Sequence, residues 1–410
     1  MSRESETDDL PGSVNLPGTL PETLRAELIA FRRDLHMHPE LGNQEFRTTA
    51  AIKARLELAG LAPKVLGMGT GLVCDIGTWD GVQPLLALRA DIDALPIPDT
   101  KTNVPYSSTV PERAHACGHD VHTTTVLGAG IVLAELDREG LLPAPVRLIF
   151  QPAEEVLPGG APDAIECGVL DGVGAIVAVH CDPKVDAGSI GLRSGPITSA
   201  CDRLEISLDG PGGHTARPHL TTDLVTAAAK VVTEVPSLVA RRADARSGLA
   251  VTWGRIESGH APNVIPNHAE LSGTVRCLDL PTWRAAPDLV HAAIDEIATV
   301  HRAKSQIDYI RGVPPVVNDP VVTELIRDAQ AARGGVESIE DTEQSLGGED
   351  FSWYLEHVPG ALARLGVRRP GDTVRRDLHR GDFDVDEESI RVGVELFTAV
   401  ALLYGHRDQD

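Results

Sequence analysis

Residues 115–155 read HACGHDVHTTTVLGAGIVLAELDREGLLPAPVRLIFQPAEE and contain the pattern that decides the fold. An apolar helical pattern at residues 122–136 is followed by an apolar strand pattern at residues 146–150. Other short apolar runs predict further strands, at residues 72–76, 85–90 and 175–179. Because helical and strand patterns alternate along the chain, the sequence predicts a parallel or mixed sheet covered by helices on both faces.

A different pattern occupies the middle of the chain. The predicted order there is strand, helix, strand, strand, helix, strand, at residues 203–208, 222–240, 249–256, 268–277, 283–302 and 306–310. This order is the split βαβ arrangement of a small separate domain. We therefore expect an α/β domain formed by residues 18–196 and 311–410, interrupted by an inserted α+β domain at residues 197–310. Residues 1–17 are polar and acidic, and we expect them to form a disordered tail.

The charge balance argues against two classes of partner. The 410 residues include 37 lysines and arginines against 60 aspartates and glutamates, which gives a net charge of −23 with histidine neutral. A surface this negative repels phosphate backbones and anionic lipids, so we expect no binding to nucleic acid or to a membrane. The chain has no run of 18 apolar residues that could span a membrane. Its 42% content of hydrophobic residues is typical of a globular protein.

The six cysteines show no paired spacing: Cys74, Cys117, Cys167, Cys181, Cys201 and Cys277. Such usage indicates a reducing compartment, in which a cysteine more often packs, binds metal or acts as a nucleophile than forms a disulfide. The first 17 residues have neither the basic nor the apolar part of a signal peptide. The sequence therefore predicts a cytoplasmic protein.

The segment HACGHDVH, at residues 115–122, has the densest set of metal-binding residue types. Cys117 and His119 lie two residues apart, so their side chains would share one face of an extended segment. Thiolate and imidazole together favour zinc or a neighbouring transition metal over magnesium or calcium. A polar loop that caps the next helix, with Asp120 as its N-cap, is the alternative interpretation.

Two adjacent carboxylates, Glu154 and Glu155, follow the predicted strand at residues 146–150. Ligands bind beyond the carboxyl ends of strands in open α/β sheets, and neighbouring residues face different ways. One carboxylate could therefore bind metal while the other acts as a base, although an acidic surface pair is the common alternative. Two single histidines complete the candidate set: His180 follows another apolar run, and His379 precedes the last predicted helix. A lone histidine is more often structural than a metal ligand. Together with the cysteine, histidines and carboxylates above, however, they fit a catalytic metal site.

The inserted domain has its own polar groups. His214 lies in the segment GGHTARPH at residues 212–219, where small residues would allow another group to approach the backbone closely. Asn263 and Arg276 lie beside predicted strands. Loop capping or a solvated charge would explain each of them, but arginine also presents a fork suited to a carboxylate.

Taken in order, eight segments resemble a known family: RDLHMHPEL (33–41), ALRADIDALP (87–96), HACGHDVH (115–122), QPAEE (151–155), GGHTARPH (212–219), NVIP (263–266), GTVR (273–276) and GEDF (348–351). The ordered set resembles the aminoacylase and carboxypeptidase family of two-metal peptidases. Within that family it is most similar to the amidohydrolase branch, which includes hippurate hydrolases and N-acyl-amino-acid amidohydrolases.

The resemblance implies a phosphorylase/hydrolase-like mixed-sheet catalytic domain with helices on both faces, interrupted by a ferredoxin-like α+β lid and dimerisation domain. It implies two divalent metal ions per subunit, zinc or manganese, with cobalt or nickel as alternatives. The implied metal ligands are a bridging thiolate and four further side chains: Cys117, His119, Glu155, His180 and His379.

The resemblance also implies roles in catalysis and substrate binding. Glu154 matches the general base, Asp93 a carboxylate that orients a ligand histidine, and His214 a lid histidine that reaches the scissile carbonyl, often from the partner subunit. The implied substrate-binding residues are Asn263, Arg276 and Gly348.

The function implied is a metal-dependent amidohydrolase that cleaves N-acyl amino acids into a carboxylic acid and a free amino acid. A homodimer formed through the lid domain is expected. A di- or aminopeptidase of the same fold is one alternative. A non-catalytic, metal-stabilised binding protein is another, but its expected mark is the loss of Glu154 or of a ligand, and the sequence retains all of them.

Overall fold

The computed structural model describes residues 18–82 and 84–407, and the tail predicted at residues 1–17 lies outside them. The α-helices are α1 Glu22–Met37, α2 Phe46–Leu58, α3 His119–Arg138, α4 Ala161–Glu166, α5 Leu224–Arg242, α6 Leu280–Val300, α7 Pro320–Gly334, α8 Ser352–Leu355 and α9 Glu388–Arg407. The strands are β1 Lys64–Val65, β2 Leu72–Ile76, β3 Leu85–Asp91, β4 Val146–Gln151, β5 Val173–Asp186, β6 Ile190–Leu192, β7 Gly195–Pro196, β8 Ala200–Asp209, β9 Gly213–His214, β10 Ala250–Ser258, β11 Val264–Ile265, β12 His268–Cys277, β13 Lys304–Val313, β14 Val317–Asn318, β15 Ile339–Asp341 and β16 Gly360–Arg368. Among the described residues, no helix is both long enough and apolar enough to cross a bilayer.

An eight-stranded mixed sheet forms the centre of the larger unit, in the order β1-β2-β4-β3-β5-β16-β6-β15. Its central strands β4, β3, β5 and β16 are parallel, whereas β2 is antiparallel to β4. Strands β3 and β4 are buried along their whole length, because helices cover both faces of the sheet. Helices α1, α2, α3, α7 and α9 pack on one face, and α4 and α8 pack on the other. The predicted α/β class is therefore confirmed.

A smaller antiparallel sheet, in the order β10-β12-β8-β13, forms the second unit. The chain order β8-α5-β10-β12-α6-β13 is the predicted ferredoxin-like order. In β8 the buried residues alternate with partly exposed ones, and the buried side chains pack against α5 and α6. Strand β13 continues past residue 310 to Val313. The domain limits at residues 196 and 310 stay a prediction.

The two connections between the units lie side by side. Val313, at the end of β13, pairs with Cys201, near the start of β8. The backbone N–H of Gly312 donates a hydrogen bond to the buried Asp202 carboxylate at 2.8 Å. A Cβ on Gly312 would lie 1.9 Å from the Cys201 carbonyl oxygen, so only glycine fits this crossing.

Helix α3 begins earlier than the sequence pattern predicted. It starts at His119 rather than near residue 122, and its N-cap is Gly118 rather than Asp120. Gly118 has a φ of +89°, and an added Cβ would lie 2.6 Å from the buried sulfur of Cys181. The chain therefore turns at this glycine, and the expectation of one extended segment holding Cys117 and His119 was wrong.

Candidate active site

A cavity of about 280 Å³ opens beyond the carboxyl ends of the central parallel strands. Its lining includes Glu154 and four of the predicted metal ligands: Cys117, Glu155, His180 and His379. They come from four separate segments, and they meet because parallel strands present their carboxyl ends at one edge of a sheet.

Cys117 and His180 face each other across the cavity floor. The Sγ atom of Cys117 lies 3.5 Å from Nε2 of His180. The other ring nitrogen of His180, Nδ1, lies 2.8 Å from the backbone carbonyl oxygen of Cys181. A carbonyl oxygen can only accept, so Nδ1 carries the proton and Nε2 presents its lone pair to the cavity. Burial, followed by the charge of Arg364, lowers the pKa of His180 well below its usual value, which favours this neutral form.

His119 is oriented by Asp93. Nδ1 of His119 lies 3.2 Å from Asp93 Oδ1, and the other carboxylate oxygen accepts the backbone N–H of Glu155 at 3.0 Å. Nε2 of His119 is buried and has no hydrogen-bond partner within the described chain. It lies 4.0 Å from Glu154 Oε2 and 3.8 Å from Glu155 Oε1. Burial opposes a charged ring, but the Asp91 and Asp93 carboxylates outweigh it and raise the pKa of His119 to about 10. A cation bound at Nε2 would oppose this shift and favour the neutral ring.

His379 lies at the rim of the cavity. Its Nε2 is 3.4 Å from Oε1 of Glu155, and its side chain is 55% exposed. Its backbone N–H donates to the carbonyl oxygen of Ala116 at 2.8 Å, which joins this loop to the segment that precedes Cys117.

The donor atoms form two groups that share one sulfur. Ligand atoms of Cys117, His119 and His180 lie within 4.8 Å of one another, and so do those of Cys117, Glu155 and His379. Two bound cations would satisfy the buried, unpartnered His119 Nε2 and Glu155 Oε1. Burial, with the Glu155 and Glu154 carboxylates, raises the pKa of Cys117 well above its usual value, so a cation is needed to stabilise the thiolate. The residues present therefore fit two divalent metal ions, and each residue's role as ligand stays a prediction.

Glu154 lies beside both groups. No hydrogen-bond donor among the described residues contacts its carboxylate, and its side chain is 11% exposed. Burial and the nearby Glu349 and Glu155 carboxylates raise the pKa of Glu154 well above its usual value, whereas bound cations would oppose that shift. Such a carboxylate, open to the cavity, is suited to accept a proton.

The substrate-binding residues named from the resemblance lie in two places. Gly348 lines the cavity, and a Cβ there would lie 2.9 Å from Val313 and 3.1 Å from Cys201. Arg276, on β12, donates a hydrogen bond to the carbonyl oxygen of Leu346, in the loop that contains Gly348.

His214 and Asn263 lie elsewhere. His214 lies on β9 and Asn263 directly precedes β11, the strand that pairs with β9. Both are exposed, and neither is among the described residues that line the cavity. The backbone N–H of Ala216 donates to His214 Nδ1 at 3.0 Å.

The sequence matches the peptidase family M20/M25/M40 over residues 87–403. The chain belongs to this family. It is 39% identical over 369 residues to the N-acetyl-L-cysteine deacetylase of Bacillus subtilis, a match that covers 90% of this chain and 86% of that protein.

A second M20 relative is a solved structure. The YXEP protein of Bacillus subtilis, described as a dinuclear metal-binding peptidase of the M20 family, superposes with a TM-score of 0.81. The two chains are 34% identical, and the match covers 94% of this chain and 99% of that one.

A third relative is longer than this chain. This chain is 46% identical over 377 residues to a Rhodococcus jostii protein that is named a putative glutamate–cysteine ligase. It spans only about half of that protein's length, 46%, although 92% of this chain is matched. Together, the family and its relatives show that the chain is a hydrolase of the M20 metallopeptidase fold.

A buried network beneath the cavity was not predicted residue by residue from the sequence. Nδ1 of His122 lies 2.7 Å from Asp91 Oδ1, and its Nε2 accepts the backbone N–H of Cys181 at 2.8 Å. Both ring nitrogens are therefore used, so His122 is not a free metal ligand in this M20 hydrolase. Arg89 pairs with Asp91 at 2.7 Å and with Asp350 at 2.6 Å. The segments that contain Asp91 and Asp350 contributed to the family resemblance, and this was the signal in the sequence that could have pointed to the network.

A second buried network holds the start of α3. Asp120 forms an ion pair with Arg32, in which its Oδ2 lies 2.7 Å from Arg32 Nε, and the same oxygen lies 2.7 Å from His36 Nδ1. All three side chains are fully buried. His36 belongs to the segment at residues 33–41 that the resemblance used, whereas nothing in the sequence marked Arg32.

Glu45 gives this hydrolase a testable pH dependence of stability. Glu45 is buried and accepts the backbone N–H of Ala153 at 2.8 Å, and burial raises the pKa of its carboxyl to about 7. In the unfolded chain the Glu45 carboxyl ionises near pH 4.5, whereas in the folded protein it stays protonated up to about pH 7. Its contribution to the free energy of unfolding therefore falls as pH rises from about 4.5 to about 7 and is constant above that. We expect Glu45→Gln to lack this fall, so that its free energy of unfolding gains roughly 2.5 kcal/mol on that of the parent between pH 5 and pH 8.

Urea unfolding of both proteins at pH 5 and pH 8 measures this difference. Glu57→Gln, at an exposed position on the same helix α2, is the matched control and should show no such gain. Parallel pH profiles for the parent and Glu45→Gln would contradict the assignment.

Proposed function

We propose that this M20 hydrolase cleaves N-acyl amino acids into a carboxylic acid and a free amino acid, using two divalent metal ions, zinc or manganese, with cobalt or nickel as alternatives. The observation that supports this most is the placement of Glu154 beside two donor groups that share Cys117. A cytoplasmic location is part of the proposal, because all six cysteines are free thiols, as is usual in a reducing compartment.

In the proposed reaction a water molecule attacks the amide carbonyl and the carbon–nitrogen bond breaks. Divalent ions at such a site supply Lewis acidity, which lowers the pKa of water and polarises a carbonyl. Glu154 accepts the proton of the attacking water and then delivers it to the leaving nitrogen, which departs as the free amine. Asp93 keeps His119 in the orientation and tautomer that leave Nε2 without a proton.

The lid would complete the site. Because Nδ1 of His214 accepts a hydrogen bond from Ala216, Nε2 of the neutral ring carries a proton and can donate to the developing oxyanion. Arg276 has the planar fork that suits the α-carboxylate of the substrate, and it lies against the loop of Gly348. Asn263, beside His214, is assigned to the same substrate contacts.

A homodimer through the lid is part of the proposal. Strand β10 lies at the edge of the small sheet, and most of its residues are exposed, including Ile256 at 51%. Such an edge can pair with the same strand of a second copy. A second copy would also bring in His214 and Asn263, which are exposed and do not line the described cavity of their own chain.

A mixture of two inactive variants tests whether His214 acts across subunits. His214→Ala and Glu154→Ala should each be nearly inactive, because each removes one part of the site. After subunit exchange, a mixed dimer has one site with both residues intact, so we expect the mixture to recover part of the activity, up to about a quarter of the parent's for random pairing.

Subunit exchange is first confirmed with differently tagged chains. The control is a sample of His214→Ala alone at the same total protein concentration, which should show no recovery of activity. No recovery after confirmed exchange would contradict action in trans.

A hydrolysis screen tests the proposed function. After reconstitution with each metal, the protein is assayed with N-acetyl, N-benzoyl and longer N-acyl amino acids, and with dipeptides that have a free amine. We expect release of amino acid from the acylated substrates. Cleavage of dipeptides alone would favour the di- or aminopeptidase alternative and contradict the proposal.

A further inference from the structure

Arg364 lies on β16 next to the proposed metal ligand His180. The two residues are register partners on the adjacent parallel strands β16 and β5, so their side chains start on the same face of the sheet. Arg364 is only 7% exposed. It lines both the active-site cavity and an adjoining polar cavity of about 280 Å³. The guanidinium therefore lies in the wall between the two cavities.

Arg364 differs from the other buried arginines in having no partner. Arg32, Arg89 and Arg147 each have a carboxylate oxygen within 2.7 Å. Its guanidinium has no hydrogen bond to any described residue, and no carboxylate oxygen of the described chain lies within 4.0 Å of its nitrogen atoms.

The other cations of the adjoining cavity are already paired. Lys184 lies 3.7 Å from Glu343, and Arg375 lies 3.1 Å from Asp377. Among the described cationic residues that line the adjoining cavity, Arg364 is thus the one that is buried and has no carboxylate partner, so it can bind an added anion.

A buried guanidinium without a counter-ion is costly, because it has lost its water and gained no compensating charge. Burial lowers the pKa of Arg364, even though the Asp182 and Glu349 carboxylates favour its charged form. An anion entering from the cavity would supply the missing partner.

We propose that Arg364 binds a second carboxylate of the substrate, so that the preferred substrates are N-acyl amino acids with two negative charges. This inference rests on the proposed function, in which the α-carboxylate pairs with Arg276 on the lid. A substrate with one carboxylate leaves one of these two arginines without an anion. The second carboxylate belongs either to a dicarboxylic acyl group or to an acidic amino-acid side chain, and both present the same chemistry to Arg364.

The test compares kcat/KM for charged substrates and their neutral amide isosteres, with the metal-loaded enzyme. N-succinyl-alanine is compared with N-succinamoyl-alanine, and N-acetyl-aspartate with N-acetyl-asparagine. We expect one of the two acids to exceed its isostere by roughly 30-fold or more, as for a buried charge pair. The pair that shows the preference identifies whether the acyl group or the amino acid carries the second carboxylate.

Variants then assign the preference to Arg364. Arg364→Met should remove it, and Arg364→Lys should retain part of it, with kcat/KM falling more for the preferred acid than for its neutral isostere. Lys184→Gln, at a paired and half-exposed position of the adjoining cavity, is the matched control and should keep the preference of the parent. Because Arg364→Met removes an unpaired buried charge, its unfolding temperature should not fall below that of the parent.

Three results would overturn the inference in distinguishable ways. If N-acetyl-alanine is hydrolysed but neither acid exceeds its isostere in the parent enzyme, the second-carboxylate inference fails and the proposed function stands. If Arg364→Met lowers kcat/KM equally for N-acetyl-alanine and for the acids, Arg364 binds the α-carboxylate instead. If no N-acyl amino acid is hydrolysed with any metal, the inference fails together with the proposed function.

Discussion

Glu154→Gln is expected to lower kcat for N-acyl amino acid hydrolysis by about 10²–10⁴-fold, because glutamine cannot accept the proton of the attacking water or return it to the leaving amine. The substitution keeps the shape of the side chain. The Glu154 carboxylate accepts no hydrogen bond from the described residues, so the substitution removes no hydrogen bond from the fold. Metal content and the unfolding temperature should therefore stay close to those of the parent, and KM should change less than kcat.

Steady-state kinetics and metal analysis on the same preparation measure this prediction. Glu166→Gln, at an exposed position at the end of α4, is the matched control and should retain full activity. A Glu154→Gln protein that keeps both metals and hydrolyses its substrates at the parent's rate would contradict the role of general base.

Cys117→Ala is expected to reduce bound metal from two ions per chain to one or none. Cys117 Sγ is the only donor common to the group with His119 and His180 and the group with Glu155 and His379, among the described residues. If Cys117 binds both ions as proposed, its removal would take one ligand from each of them. The loss of activity should equal or exceed that of Glu154→Gln, since the Lewis acid is lost together with the geometry.

Metal content after gel filtration, determined by mass spectrometry, measures this loss. Cys181→Ala is the matched control, because Cys181 is also a fully buried cysteine near the site, and its sulfur packs against the backbone of Gly118. The control should retain two ions. Two ions in Cys117→Ala, at the parent's affinity, would show that this sulfur does not bridge the metals.

Much of the fold was predictable because it depends on local periodicity. The strand at Leu72–Ile76 and the strand at His268–Cys277 have the bounds that their apolar patterns predicted. The start of α3 was not predictable in this way, since it depends on the turn at Gly118 and on a sulfur atom that belongs to β5. Alternation within a strand is visible in a sequence, whereas packing between distant segments is not.

The candidate site shows the same limit. The segment at residues 115–122 offers three histidines of equal chemical type, and the sequence could not say which of them is free. The structure separates His119 from His122 through partners that lie far away in the chain, Asp93 for one and Asp91 with the backbone of Cys181 for the other. Arg364 had no local signal, because a single arginine in the apolar run ALARLGV resembles an ordinary solvated charge until its burial is known.

The net charge of −23 carries less functional information than the positions of single charges. The proposed chemistry depends on a few acids, chiefly Glu154, Glu155 and Asp93. Its substrate is an anion, so local cations such as Arg276 and Arg364 must oppose the field of the whole protein. The excess of acidic residues is better explained by solubility than by the reaction.

The measurement that tests the central claim most directly is amino-acid release from an N-acetyl amino acid while a divalent ion is titrated into metal-free protein. The account predicts no release without metal and a rate that rises until two ions are bound per chain, with zinc or manganese the most effective. Stable binding of two ions without release of amino acid from any N-acyl amino acid, with any of the four metals, would contradict it.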